Sequence, residues 1–204
     1  MLNNFKNKRI FITGSTGFKG TWLSYILTLS GATVMGYSLP QIANEKSHYN
    51  DLKLKDKITQ IEGDIRNREE LISTIQKFEP DYVFHLAAQA LVRPSYNDPH
   101  NTFETNVMGS VNILDGVLAT KSVRALIYVT SDKCYENNEW VWGYRENDRL
   151  GGRDPYSASK AAAENVFLAY SKSFINMNSQ LGAASVRAGN VIGGGDWSVD
   201  RIVP

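Results

Sequence analysis

Two pairs of ionisable residues have types and spacings that suit proton transfer. Asp132 and Lys133 come just after an apolar run that ends at Thr130, which puts an acid and an amine where a predicted strand leaves its sheet. Tyr156 and Lys160 are four residues apart, a spacing that places both on one face of a helix. An ammonium group beside a phenol favours the ionised phenol, so Tyr156 is a candidate base for a hydroxyl group. Without further context, the first pair would be a solvated turn and the second an ordinary helix surface.

A glycine-rich loop supplies that context. The segment TGSTGFKG (13–20) lies between a predicted strand and a predicted helix, and its glycines recur every three residues. Glycines let the backbone turn tightly and approach a pyrophosphate, which the N–H groups and dipole of the helix N-terminus attract. We therefore predict a dinucleotide site rather than a merely structural turn. The loop residues assigned to this site are Gly14, Thr16, Gly17, Phe18, Lys19 and Gly20.

The other cofactor contacts are expected where the next strands end. Selectivity between NAD and NADP is usually set after the second strand by an acid or an arginine. The chain has YSLP (37–40) there, which contains neither, so this position does not indicate which of the two cofactors binds. Ser38 either bonds a ribose hydroxyl or is a turn residue. Asp64 either accepts a bond from the adenine amino group or caps the next helix. The remaining residues assigned to the cofactor are Ile65, Leu86, Ala87 and Ala88, together with Tyr156 and Lys160.

Strands and helices alternate along the chain in the order needed to position these residues. That alternation predicts an α/β fold with a doubly wound parallel sheet covered by helices on both faces. His85 lies inside an apolar strand and is interpreted as a core histidine rather than a catalytic one. The predicted strands cover 9–13, 32–38, 57–64, 81–88, 124–130 and 184–189. The predicted helices cover 17–30, 47–54, 67–78, 100–119 and 156–174, and 131–154 is predicted to be a loop.

Composition narrows the class of protein. The 204 residues fit one domain, or one domain and the start of a second. With 22 Lys and Arg against 21 Asp and Glu, neither nucleic acid nor a membrane surface is expected as a partner. Cys134 is the only cysteine, so no disulfide and no cysteine-based zinc site is expected, and no metal ion is assigned. Because the chain has no signal-peptide core and no apolar run of about 18 residues, we expect a cytoplasmic protein.

Taken together, these motifs resemble the extended short-chain dehydrogenase/reductase family over essentially the whole chain. The resemblance rests on TGSTGFKG, GDIR (63–66), HLAAQ (85–89), ETNVMGSVNIL (104–114), YSASK (156–160) and VRAGNVIGGGDW (186–197). Longer matches, among them TSDKCYEN and EWVWGYREND, resemble the nucleotide-sugar 4,6-dehydratases of this family that act on CDP-glucose. The resemblance implies an NAD-binding Rossmann domain over 1–190, followed by a smaller nucleotide-sugar domain that would begin at 191–204.

The reaction implied by this resemblance is an internal redox dehydration of CDP-glucose to CDP-4-keto-6-deoxyglucose, for deoxysugar and O-antigen polysaccharide synthesis. Tyr156, aided by Lys160, would remove the proton of the hydroxyl at sugar carbon 4 while hydride passes to NAD. The new ketone acidifies the proton at carbon 5, water leaves from carbon 6, and the hydride returns to carbon 6. Asp132 would be the acid for the leaving hydroxyl, and Ser131 a donor to the oxygen at carbon 4.

Lys133 stands where nucleotide-sugar dehydratases generally have a glutamate, and we hypothesise that it is the base at carbon 5. A lysine accepts a proton only in its neutral form, which is scarce at pH 7 for an ordinary amine. The role therefore requires a desolvated side chain, with Lys160 and the nicotinamide cation nearby. In the competing interpretation, Lys133 pairs with Asp132 while another group or water takes the proton.

Further residues are expected to contact the nucleotide-sugar substrate or a second copy of the chain. The residues assigned to the substrate are Gln89, Arg93, Ser131 and Asn190, with Arg93 near the diphosphate. Four residues of the long loop either cover the sugar or pack on one another, namely Trp140, Trp142, Tyr144 and Arg145. In the family, the helix that carries 103–114 and the helix of Tyr156 pack across a dimer axis, so a homodimer or larger homo-oligomer is expected.

Two other functions remain open on the sequence alone. An NAD(P)-dependent epimerase or reductase would share the glycine loop, Tyr156 and Lys160, but would not need an acid and a base after the fifth strand. A non-catalytic NAD-binding protein would commonly lose the tyrosine and the lysine. Because the loop at 193–197 is expected to lead into the second domain, a chain that ends at Pro204 is expected to bind NAD without normal turnover.

Overall fold

A six-stranded parallel sheet organises the chain in the computed structural model, which describes residues 2–42 and 46–198. The strands are β1 (Arg9–Thr13), β2 (Thr33–Ser38), β3 (Thr59–Glu62), β4 (Tyr82–His85), β5 (Ala125–Val129) and β6 (Gly182–Val186). The helices are α1 (Phe18–Leu29), α2 (His48–Asp51), α3 (Arg68–Phe78), α4 (Val92–Asn97), α5 (Pro99–Phe103), α6 (Gly109–Leu118) and α7 (Pro155–Ser173). The strand order is β3-β2-β1-β4-β5-β6, which is that of a doubly wound sheet. The predicted fold class is confirmed.

Side chains that alternate along the strands build a core on each face of the sheet. Ile10 and Ile12 of β1 pack with Leu27 of α1 in one cluster. Phe11, between them in the chain, packs with Leu71 of α3 in the other cluster. Because successive strand residues point to opposite faces, the apolar residues 10–12 of β1 are buried on both sides of the sheet, as expected for a central parallel strand.

Local signals set several helix ends where the sequence predicted them. Gly31 ends α1 with a φ of +82°, a conformation that glycine adopts without strain. Glu79, just before Pro80, takes the left-handed conformation at the end of α3. Asp154 caps α7 by accepting a bond from the N–H of Ser157, and proline occupies its first turn. Among the helices that the structure describes, none combines the length and apolarity needed to cross a membrane.

The helix predicted over 100–119 is present, but a π-helical turn divides it. The chain forms α5, then a π-helical turn (Glu104–Met108), then α6, and it forms the unpredicted α4 before them. In the π-helical turn, the buried carboxamide of Asn106 bonds the backbone N–H and C=O of Gln89 at 2.9 and 3.0 Å. It also donates to the hydroxyl of Ser159 at 2.8 Å. The irregular turn, of a type frequent at functional sites, thus joins α7 to the loop after β4.

His85 is buried at the end of β4, as the sequence predicted. Burial, and to a smaller extent the positive charge of Lys160, lowers its pKa to about 3. Its Nδ1 lies 2.7 Å from Oγ1 of Thr13. That oxygen already accepts bonds from the N–H groups of Leu86 and Ala87, so its own proton points to Nδ1. The ring is therefore neutral and shapes the turn after β4.

We expect His85 to make the folded chain sensitive to acid. The unfolded chain takes up this proton near an ordinary pKa of about 6.5, whereas burial delays uptake in the folded chain until the pKa of about 3. Between these two pH values the unfolded state binds more protons than the folded state. As the pH falls below about 6.5, the free energy of unfolding therefore decreases by up to about 1.4 kcal/mol per pH unit.

Urea unfolding at about pH 7.5 and about pH 5.5 measures this loss. His85→Asn keeps an acceptor for Thr13 and should lose less stability on acidification than the unchanged chain. His100 is exposed, so His100→Asn is the matched control and should behave like the unchanged chain. Equal acid sensitivity in His85→Asn would contradict the prediction.

Candidate active site

The predicted site residues meet in two adjoining cavities at the carboxyl edge of the sheet, beside the point where the strand order reverses between β1 and β4. Their volumes are about 370 Å³ and about 420 Å³, within the range of small-molecule sites. We call the first, which contains Gly14 and Gly20, the glycine-loop cavity, and the second, which contains Tyr156, the tyrosine cavity. The two share Phe18, Lys19 and Ala90, so a ligand in one would adjoin a ligand in the other.

The glycine-loop cavity collects the residues that the sequence analysis assigned to a cofactor. Of that set, the lining contains Gly14, Thr16, Gly17, Phe18, Lys19, Gly20, Ser38, Asp64, Ile65, Leu86, Ala87 and Ala88. Tyr156 lines the tyrosine cavity instead, and Lys160 is among the lining residues of neither. Residues from four strand ends therefore come together as predicted, while their contact with a cofactor stays a prediction.

The glycine loop is packed so closely that side chains are excluded from it. A Cβ atom on Gly20 would lie 2.0 Å from the carbonyl oxygen of Gly14, and one on Gly14 would lie 2.8 Å from the nitrogen of Ala87. Gly14 also has a φ of +73°, which residues with a side chain rarely adopt. Backbone rather than side chain thus faces the cavity near the start of α1, an arrangement that fits the pyrophosphate of a dinucleotide.

Ser38 connects the end of β2 to the glycine loop. Its buried hydroxyl lies 2.9 Å from that of Ser15 and accepts a bond from the N–H of Thr16 at 3.3 Å. Ser38 therefore holds the loop in place while it lines the glycine-loop cavity. Its bond to a ribose hydroxyl stays a prediction.

Asp64 does not cap the next helix, so that alternative from the sequence analysis is wrong. The cap of α3 is Asn67, whose side chain accepts a bond from the N–H of Glu70. Asp64 instead accepts bonds from the guanidinium and the backbone N–H of Arg66, which lower the pKa of its carboxyl group. Arg66 also bonds Glu104 and lines the glycine-loop cavity. The sequence analysis missed Arg66, although it stands in the quoted GDIR motif.

The tyrosine cavity is walled by the turn that follows β5. Ser131 opens this turn: its hydroxyl accepts a bond from the N–H of Lys133 at 3.2 Å and donates to Oδ1 of Asp132 at 3.0 Å. These contacts place the acid and the amine on one cavity wall with Tyr156 on another. The hydroxyl proton of Ser131 thus points to Asp132, and the donation to a sugar oxygen predicted from the sequence would require it to turn.

Tyr156 and Lys160 both lie on α7, so the helix predicted for this pair is present, while the contact between phenol and ammonium stays a prediction. Tyr156 is buried in the first turn of α7, where its N–H donates to the hydroxyl of Ser95 at 3.2 Å. Lys160 is buried one helical turn later. Burial and the charge of Lys19 lower the pKa of Lys160 to about 8, with Glu164 acting in the opposite direction. The amine is thus mostly protonated at neutral pH, which favours ionisation of the nearby phenol.

Two expectations about Lys133 are corrected. Its side chain is exposed rather than desolvated, because the turn after β5 leaves the edge of the sheet and faces the open cavity. In the part of the chain that the structure describes, Lys133 forms no ion pair with Asp132, which bonds Ser131 instead. The role of Lys133 as a base therefore depends on exclusion of water by bound ligands.

The residues assigned to the substrate fall into two groups. Arg93, Ser131 and Asn190 line the tyrosine cavity. Gln89 lines the glycine-loop cavity, and its side chain is engaged within the chain, since it donates to the carbonyl of Leu91 and accepts from the N–H of the same residue. Gln89 thus shapes the turn after β4, and substrate contact by any of these residues stays a prediction.

The aromatic residues of the long loop pack on one another, as one of the two alternatives predicted. The ring centroids of Trp140 and Trp142 are 5.4 Å apart, and those of Tyr144 and Tyr135 are 5.1 Å apart. Neither these residues nor Arg145 line either cavity.

The tyrosine cavity also has lining residues that the sequence analysis missed, among them Leu91, Val92, Ala188, Gly189, Val191, Ile192 and Asp196. Residues 199–204 of the predicted second region lie outside the described residues.

The fold and the site define an α/β protein of the Rossmann-like class with a tyrosine–lysine pair at the carboxyl edge of its sheet. A family model described as GDP-mannose 4,6 dehydratase matches residues 11–187. The chain therefore belongs to that family.

Three known proteins are similar to the chain in sequence or in fold. The CDP-glucose 4,6-dehydratase of Salmonella typhimurium is 51% identical over 99% of this chain and 57% of its own length. A UDP-glucose 4-epimerase of Thermus thermophilus, solved with NAD, is 27% identical, with a TM-score of 0.71 over 88% of this chain and 54% of that one. An epimerase of Methanothermobacter thermautotrophicus is 23% identical with a TM-score of 0.81 over 96% of this chain and 55% of that one, a likeness of fold alone. The chain thus spans little more than half the length of these relatives.

Proposed function

We propose that this chain is the NAD-binding and catalytic part of a nucleotide-sugar 4,6-dehydratase that converts CDP-glucose to CDP-4-keto-6-deoxyglucose. The observation that carries the proposal is the meeting of Tyr156 with Asp132 and Lys133 in one cavity. The adjoining glycine-loop cavity supports the choice of a dinucleotide cofactor. The 51% identity to a CDP-glucose 4,6-dehydratase supports the choice of sugar nucleotide. A role in O-antigen polysaccharide synthesis and a cytoplasmic location stay predictions.

The proposed chemistry assigns proton transfers to the groups on the cavity walls. NAD would supply the acceptor for the hydride of sugar carbon 4 and the donor that returns it to carbon 6. Tyr156 takes the proton of the hydroxyl at carbon 4, and the ammonium of Lys160 stabilises the phenolate. Lys133 takes the proton at carbon 5 and gives a proton back to that carbon when hydride returns to carbon 6. Asp132 gives a proton to the hydroxyl that leaves carbon 6, so the elimination releases water rather than hydroxide.

A nucleotide-sugar epimerase is the second candidate, because the epimerase of Thermus thermophilus shares the fold. It would use the same cofactor site, Tyr156 and Lys160. An epimerase performs no elimination, however, and has no need for a separate acid and base. The placement of Asp132 and Lys133 on the wall of the tyrosine cavity therefore favours dehydration.

Mass spectrometry of the sugar nucleotide tests the proposal. The chain is incubated with NAD and CDP-glucose, and its affinity for NAD is measured separately by calorimetry. A product that has lost one water supports a dehydratase, whereas an isomer of unchanged mass would mean an epimerase. Absence of NAD binding would contradict the proposed cofactor site.

We also infer that two copies of the chain associate through α5, the π-helical turn and α7. These elements leave Phe103, Met108 and Leu168 exposed by 39%, 51% and 47%, so they carry apolar surface beyond the faces that pack on the sheet. Sedimentation velocity should show a dimer, and Met108→Lys and Leu168→Lys should each shift it toward the monomer. Leu29 of α1, which packs on the other face of the sheet, is 69% exposed, and Leu29→Lys is the matched control. A monomeric unchanged chain would contradict the inference.

A further inference from the structure

A buried carboxylate on α7 has no place in the chemistry described so far. Glu164 is 3% exposed and lies one helical turn beyond Lys160, which is itself one turn beyond Tyr156. Positions four apart on a helix share a face. Acidic side chains are almost never fully buried unless they are paired, so the contacts of Glu164 identify what it holds together.

Three other positions of the chain donate to the carboxylate of Glu164. Arg187, just after β6, forms an ion pair with it at 2.8 Å. Ser185 of β6 donates its hydroxyl at 3.1 Å, and Thr130, just after β5, donates its hydroxyl as well. Burial alone would raise the pKa of Glu164, but the bonds from Arg187 and Thr130 outweigh it and lower the pKa. The carboxylate is therefore ionised within the core.

This cluster reaches the turn that carries the proposed acid and base. Thr130 lies two residues before Asp132. The backbone N–H groups of these two residues bond carbonyls at the end of β6 and just beyond it. The N–H of Thr130 donates to the carbonyl of Val186 at 2.9 Å, and that of Asp132 donates to the carbonyl of Ala188 at 3.0 Å. The bond from Thr130 to Glu164 adds α7 to this pairing. The turn and the helix of Tyr156 are thus fixed to each other through one carboxylate.

Arg187 extends the same connection to the long loop. Its second guanidinium nitrogen donates to the carbonyl of Glu146 at 2.9 Å. The guanidinium carbon lies 4.9 Å from the centre of the Tyr135 ring, a cation–π distance. The loop that follows the turn is therefore tied to the core by the cation that pairs with Glu164.

Glu164 is also part of the electrostatic surroundings of Lys160. The charged and titratable groups that act on Lys160, or on which it acts, are Lys19 from α1, His85 from β4, Cys134 from the turn after β5 and Glu164 itself. Burial raises the pKa of the Cys134 thiol to about 11 and lowers that of His85 to about 3, so both are neutral at neutral pH. Glu164 is then the negative charge that opposes Lys19 in this group.

We propose that Glu164 is a positioning residue that, with Arg187, holds the turn of Asp132 and Lys133 against the helix of Tyr156 and places a negative charge one helical turn from Lys160. The meaning of this role rests on the proposed function. Its two physical parts, stability of the connection and titration of Lys160, are properties of the chain without sugar or cofactor.

The titration of Lys160 in Glu164→Gln tests the electrostatic part. Chain labelled with ¹³C at the lysine Cε atoms is followed by NMR against pH, and Lys160→Met identifies the Lys160 signal. Glutamine keeps the shape of the side chain but removes its charge. The midpoint of Lys160, the pH at which its amine is half protonated, should therefore fall by about one pH unit, the scale of shift that a nearby charge produces. Loss of a proton at lower pH is the sign expected when a negative neighbour disappears. An unchanged midpoint would overturn the proposal.

A double variant separates this effect from loss of structure. Glu164→Gln alone leaves the partly buried Arg187 without its counter-charge, which lowers stability. Glu164→Gln with Arg187→Met removes both charges, so it should regain much of the melting temperature lost by the single variant while the midpoint of Lys160 stays low. Return of the midpoint to its original value in the double variant would mean that the Glu164–Arg187 pair has no net effect on the charge of Lys160 and would overturn the electrostatic role.

Glu136→Gln is the matched control, because Glu136 forms an exposed ion pair with Arg149 at 3.1 Å. It should change neither the melting temperature nor the midpoint of Lys160. A shift in Glu136→Gln equal to that in Glu164→Gln would also count against a specific role for Glu164. Because neither readout uses CDP-glucose or NAD, the proposed dehydration can fail while these results stand, and the reverse holds as well.

Discussion

Replacing Tyr156 with phenylalanine is expected to slow the reduction of NAD by CDP-glucose by about 10²–10⁴-fold, the range for loss of a general base. The substitution removes only the phenolic oxygen from a ring that is buried at the start of α7, so the helix and the cavity should be retained. The affinity for NAD should change far less than the rate, because the predicted cofactor contacts lie mainly in the adjoining glycine-loop cavity. Stopped-flow absorbance of NADH, with protein in excess over sugar, measures this step in a single turnover.

Tyr170 provides the matched control for this substitution. It lies on the same helix, and its hydroxyl donates to Asp115 at 2.8 Å, outside both cavities. Tyr170→Phe should lower stability slightly, by about 1 kcal/mol for the lost hydrogen bond, and leave NAD reduction unchanged. If Tyr156→Phe reduced NAD as fast as the unchanged chain, another group would have to take the proton at sugar carbon 4.

The cofactor side of the site was predictable because each of its parts is encoded within a few residues. The TGSTGFKG loop, Ser38, Asp64 and Leu86–Ala88 all lie at or near the carboxyl ends of predicted strands. In a parallel sheet with this strand order, such positions meet at one edge. Local pattern and topology together therefore placed residues from β1, β2, β3 and β4 around one cavity.

The parts that the sequence analysis missed depend on partners far away in the chain. The π-helical turn accompanies bonds from Asn106 to Gln89 and Ser159, which are 17 and 53 residues distant. No helical periodicity reports such contacts. Likewise, the sequence analysis offered Asp64 as an alternative cap for the next helix. Asn67 caps that helix, α3, while Asp64 bonds Arg66. A one-turn or two-turn helix such as α4 is also too short to produce a periodic signal.

The exposure of Lys133 was unpredictable for a different physical reason. Desolvation of a side chain depends on which other residues or ligands shield it from water. The residues of a turn at a sheet edge do not indicate whether such shielding is present. The role of Glu164 was also not predictable, because the motif YSASK ends at Lys160. The side chains that donate to Glu164 come from the region of β5 and β6, far away in the sequence. The residues were visible in the sequence, but their surroundings were not.

Replacing Lys133 with methionine is expected to leave reduction of NAD by CDP-glucose intact and to slow incorporation of solvent deuterium at carbon 5 by at least about 10²-fold, the lower range for loss of a general base. The reason is that oxidation at carbon 4 uses Tyr156, whereas removal of the proton at carbon 5 is assigned to Lys133. NADH absorbance follows the first step, and mass spectrometry of sugar recovered from D₂O follows the second. Lys172, also exposed but near the end of α7, provides the control Lys172→Met, which should alter neither.

Asp132→Asn distinguishes this assignment from the competing one. If Lys133 is the base, Asp132→Asn should retain deuterium exchange at carbon 5 while loss of water from carbon 6 slows, because the ketone forms and the proton leaves but the hydroxyl lacks its acid. The two substitutions then act on different steps, Asp132→Asn on loss of water and Lys133→Met on exchange. Unimpaired exchange in Lys133→Met would therefore transfer the role of base from Lys133 to water or another group.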